Sequence, residues 1–81
     1  MNTTATFICG TAELRVTPVG RFQEDRMPHA FKVQVIPASI LLHTDTIQVN
    51  EPYYFLAAAE ALDQYKEKYG LDNSEIWTLN N

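Results

Sequence analysis

The sequence predicts an α+β fold: a mostly antiparallel sheet of four to five strands with one amphipathic helix packed on one face, in the order β-β-β-β-α-β. Three observations lead there. Apolar and polar residues alternate at period two through most of the chain before residue 50. Between Glu51 and Gly70 the period changes to that of a helix. At 81 residues the chain has room for a single sheet and one or two helices, so residues 1–81 are read as one small domain.

The elements follow in order. Thr4 to Cys9 is rich in β-formers, and Gly10-Thr11 breaks the run. Ala12 to Thr17 then alternates, with Ala12, Leu14 and Val16 on one face. The two runs read as a β-hairpin turning near Gly10. Pro18 and Gly20 weaken the end of the second strand. Arg21 to Ala30 carries four consecutive polar residues and Pro28, and reads as a loop. Phe31, Val33 and Val35 face inward on the next strand, and Pro37-Ala38-Ser39 marks a turn. Ile40–His43 and Thr46–Val49 read either as one strand with a bulge or as two with a kink near Thr44-Asp45.

The helix runs from Glu51 to Gly70. At about 100° per residue, Phe55, Ala58, Ala59, Leu62, Tyr65 and Tyr69 share one face. Pro52 suits the first turn, and Asn50 or Glu51 is placed at the cap, where negative charge meets the helix dipole. Lys66 and Lys68 fall in the last turn, and Gly70 supplies the left-handed stop, with Leu71 folding back on Tyr65. Ile76–Leu79 is expected to close the sheet as a last strand, with Trp77 under the helix. The expected core is Phe7, Leu14, Val16, Phe31, Val33, Val35, Phe55, Leu62, Tyr65 and Trp77.

Charge narrows the function classes. The net charge is −4. Residues 1–42 carry four cations against three acids, and residues 43–81 carry seven acids against two cations, so the halves stand at +1 and −5. An acidic second half argues against nucleic acid as a direct ligand, which needs a basic stripe. It suits a protein partner with a basic surface. Arg21, Arg26 and Lys32 could touch a phosphate, but Glu24 and Asp25 dilute that patch. No apolar run approaches the roughly 18 residues of a membrane span, so no membrane partner is expected. The single cysteine, Cys9, cannot form an intramolecular disulfide, and the N-terminus lacks the pattern of a signal peptide, which together indicate a cytoplasmic setting.

Catalytic constellations are sparse. Cys9 sits in an apolar β run and reads as a structural cysteine rather than a nucleophile. His43 and Asp45, on one face of a regular strand, could act as a base and its orienter, the basis for an alternative as a small enzyme or enzyme accessory subunit. One cysteine, two histidines and scattered carboxylates give no metal-ligand spacing, and the three glycines are isolated, so no cofactor or metal is expected.

The candidate site is the outward face of the helix. Tyr53 and Leu56 fall there beside Glu60, Asp63 and Glu67, an arrangement of apolar anchors rimmed by charge. The leading expectation is a non-enzymatic protein-binding module using these five residues. In size and acidic second half, the chain resembles the profile of small inhibitors encoded by phages and mobile elements, such as anti-CRISPR or anti-restriction proteins. That resemblance rests on no motif. It implies an inhibitor that sterically blocks a protein component of a nucleic-acid-handling complex. A further alternative is a structural protein that self-associates, as a homodimer, through an exposed strand edge.

Overall fold

A computed structural model describes residues 4–19, 29–71 and 79, with the side chain of residue 29 excepted. Its order is β1 (Ala5–Cys9), β2 (Ala12–Pro18), β3 (His29–Ile36), β4 (Asp45–Glu51) and α1 (Tyr54–Tyr69). The four strands form an antiparallel meander in sequence order, with α1 packed on one face, the α+β arrangement expected from the alternation. The β1–β2 hairpin turns on two residues. Gly10 has φ 58°, and among the described residues no non-glycine residue has positive φ. A positive φ at the first turn position but not the second is the pattern of a II′ turn, which matches strand twist.

Register puts the expected residues inward. Phe7 faces Leu14, which faces Val35; Val16 faces Val33, which faces Ile47; Pro18 faces Phe31, which faces Val49. Leu14, Val16, Phe31, Val33, Val35, Leu62 and Tyr65 are all buried. Phe7 is half-buried against the core, and its ring meets Phe55 edge-on at 5.8 Å. Phe55 is likewise half-buried rather than central. Trp77 lies outside the described residues, as does most of the predicted Ile76–Leu79 strand. Leu79 itself makes an antiparallel bridge to Cys9, beside β1.

Three expectations are corrected. Ile40–His43 is not a strand: residues 40 and 41 form a turn, and β4 begins at Asp45. The Ser39 hydroxyl accepts from the Leu41 N–H at 3.1 Å, and the Ser39 carbonyl accepts from the Leu42 N–H at 3.3 Å. A serine that bonds its own downstream backbone closes a turn despite the aliphatic residues that follow. The helix also starts later than Glu51. β4 runs to Glu51, which pairs with His29, and Tyr53 in extended conformation is the N-cap, with no side-chain cap bond. Pro52 disfavours helical geometry at the residue before it, so Glu51 stays in the strand. Neither Asn50 nor Glu51 therefore caps the helix, and its first turn holds no acid.

The third correction is rotational. Ala57, Ala58, Ala61, Leu62 and Tyr65 are buried, whereas Ala59 and Tyr69 are half-buried. The buried face is thus turned by about 60° from the expected one, toward Tyr54, whose ring packs on Phe31 at 5.0 Å. Three alanines let the helix backbone approach the sheet closely, and the rings at either end fill the flanks. The C-terminal stop is as expected: Gly70 has φ 65°, the Gly70 N–H donates to the Glu67 carbonyl and the Leu71 N–H to the Lys66 carbonyl. Those paired bonds are a Schellman motif.

Cys9 is buried in the core, and burial pushes its thiol pKa up, with the nearby Lys66 charge acting weakly the other way. Thiolate formation is disfavoured there. The folded protein is therefore expected to resist alkylation by iodoacetamide at neutral pH and to react after denaturation. Rapid modification of the native protein would show that Cys9 is accessible and activated.

Candidate docking surface

Leu56, Glu60, Asp63 and Glu67 recur at intervals of four and three and form one stripe along α1 about 16 Å long, with Tyr53 just before it as the extended N-cap. The structure sets that stripe within about 30° of directly opposite the buried alanines, Leu62 and Tyr65. Tyr53 is 62% exposed and Leu56 42% exposed. Asp63 and Glu67 are exposed as well. Lys66 reaches Asp63 at 3.7 Å, a long surface pair that leaves most of the Asp63 carboxylate in water.

Glu60 differs from the rest. It is half-buried, and its pKa is raised above the ordinary 4.5, first by burial and then by a hydrogen bond to Glu51 and the charge of Glu51. Two carboxyl groups therefore stand together where β4 gives way to α1. Neutralising them requires a proton or an arriving cation.

The sign of the pH effect follows. A carboxyl whose folded pKa exceeds its unfolded value stabilises the fold while protonated, and that stability is lost as pH rises through the folded pKa. Glu60→Gln is expected to raise the melting temperature at pH 7 and to have no such benefit at about pH 3, where both forms are neutral. Melts recorded across that range check it. An equal effect of the substitution at both ends would separate its cause from ionisation. Asp45 works in the opposite direction. Its pKa is lowered, chiefly by the hydrogen bond from Lys68, so its contribution is present above 3.8 and is lost as pH falls through the folded value.

The other residues singled out from sequence are placed as follows. His43 lies in the connection before β4 and is exposed. Its main-chain carbonyl accepts from the Tyr65 hydroxyl at 2.8 Å. The Asp45 carboxylate is held by the Lys68 ammonium at 2.7 Å and the Tyr69 hydroxyl at 3.3 Å, rather than by the His43 ring. This knot ties the C-terminal turn of α1 to the start of β4. Arg21 and Arg26 lie outside the described residues. Among the described residues, no helix is long and apolar enough to cross a membrane, and no three His, Cys, Asp or Glu side chains group as a metal site would require.

Two surfaces were missed from sequence. Ile40 and Leu41 are 98% and 86% exposed on the β3–β4 turn. Their composition is that of a strand, and only the Ser39 turn reveals their exposure. The second is the open face of the sheet, where Thr6, Arg15, Gln34 and Thr46 form one cross-strand row and Thr17, Lys32 and Gln48 the next. Alternation marks these positions as outward, but only the strand pairing brings them together.

Comparison with family models, curated proteins and solved structures found no match to this chain.

Proposed function

We propose that this chain is a non-enzymatic protein-binding module that docks a partner with a basic surface through the outward stripe of α1. The observation that carries the reading is the exposure of Tyr53 and Leu56 in line with Glu60, Asp63 and Glu67, on the side of the helix away from the core. Tyr53 and Leu56 supply desolvated contact, while the carboxylates steer approach and set orientation. The Glu51–Glu60 pair adds a reason for the partner to be basic: burial first, and then the hydrogen bond and charge of Glu51, disfavour the Glu60 carboxylate, and a partner cation would offset the charge contribution.

Steric blocking of a protein component in a nucleic-acid-handling complex suits a small module with an acidic second half. A lysate fractionated over immobilised protein tests the reading when three baits run in parallel: the parent chain, Leu56→Ala, and the double variant Glu60→Lys with Asp63→Lys. A stoichiometric partner retained by the parent and lost from both variants supports it. A partner retained equally by all three folded baits places binding elsewhere. No partner, together with a ligand-induced thermal shift, favours the enzyme alternative.

A further inference from the structure

The open face of the sheet carries a shallow cup of about 520 Å³ lined by Thr4, Arg15, Thr17, Lys32, Gln34 and Thr46. Every lining residue is polar. Arg15 pairs across the strands with Gln34, and Lys32 with Thr17, so the two cations are diagonal neighbours, about 7–8 Å apart at their Cα atoms. The two exposed side chains project from the same face, and an anion placed between their charged ends would offset their mutual repulsion. Among the described residues of this face the one acid is Glu13, and it holds Arg15 only through two contacts of 3.3 Å. Among the described residues Lys32 has no carboxylate partner.

We propose that this cup binds a phosphorylated sugar or polyol, with Arg15 and Lys32 on the phosphoryl group and Thr4, Thr17, Thr46 and Gln34 on its hydroxyls. A dianionic tetrahedral group can take the planar Arg fork and the Lys point charge together, displacing the loosely held Glu13. Hydroxyl and amide side chains offer both donors and acceptors, as sugar hydroxyls require. Among the described residues no aromatic side chain lines the cup, so they offer a nucleobase no stacking platform. The volume falls in the range of small-molecule sites.

The test is a residue-resolved amide chemical-shift titration at low ionic strength with ribose 5-phosphate, ribose and inorganic phosphate as separate probes. Ribose 5-phosphate is expected to shift the amides of Arg15, Thr17, Lys32 and Gln34, and to bind at least about tenfold more tightly than either ribose or inorganic phosphate. Lys32→Gln and Arg15→Gln, at solvent-facing positions, are each expected to keep the parental melt and weaken binding by about tenfold. Absence of shifts at these residues overturns the proposal, as does unchanged affinity in both variants. Inorganic phosphate binding as tightly as the sugar phosphate overturns the assignment of the hydroxyl contacts.

Discussion

Tyr65→Ala is expected to cost about 3–5 kcal/mol, the range for truncating a large buried aromatic side chain. Tyr65 is fully buried, its ring packs on Tyr69 at 4.6 Å, and its hydroxyl donates to the His43 carbonyl. Truncation therefore opens a cavity beneath α1 and strips a bond from the segment leading into β4. A domain of this size typically has only about 3–5 kcal/mol of net stability, so most of the variant should be unfolded at room temperature. Tyr65→Phe separates the two contributions. It keeps the ring and removes the hydroxyl, and should cost about 1 kcal/mol. Chemical denaturation of the three proteins checks both values. A Phe variant as unstable as the Ala variant would mean that the hydroxyl, rather than ring packing, dominates.

Leu62→Ala is the second large effect, at about 2–5 kcal/mol. Leu62 is 3% exposed on the face of α1 that meets the sheet. It is surrounded on the helix by Ala58 and Ala61, which are too small to refill the space. The cavity can close only if the whole helix shifts, and the Asp45–Lys68 and Tyr65–His43 contacts resist that movement. The cost should therefore fall in the upper part of the range. A melt unchanged from the parent would mean that the helix is seated on a different face.

The strands were legible because one face of each is covered: Leu14-Val16 and Phe31-Val33-Val35 alternate cleanly, and a one-residue slip would expose every one of them. The C-terminal stop was legible because Gly70 has a single conformational use there. Three features were not. Ile40-Leu41-Leu42 has the composition of a strand, and a hydroxyl–backbone bond from Ser39 outweighs it locally. Pro52 fits a first helical turn equally well, but its constraint on Glu51 and the pairing of Glu51 with His29 extend β4 instead. The helix face was misjudged because alanines carry little weight in a periodicity reading, although Ala57 and Ala61 are among the most buried residues. In the candidate site, helical spacing made the outward position of Leu56, Asp63 and Glu67 legible. The contact between Glu51 and Glu60 joins a strand end to the second turn of the helix, and no local pattern encodes it.

The central claim is that the stripe of Tyr53, Leu56, Glu60, Asp63 and Glu67 is a docking surface for a basic protein. The most direct measurement is the affinity of the purified partner, at two salt concentrations, for the parent, Leu56→Ala, and Glu60→Lys with Asp63→Lys. Both variants change exposed or half-exposed positions, so both should remain folded. Leu56→Ala should weaken binding with the salt dependence intact, since it removes apolar contact alone. The double reversal should weaken binding by at least about tenfold and flatten or invert the salt dependence, since it turns attraction into repulsion. Parental affinity and parental salt dependence in both folded variants would contradict the claim.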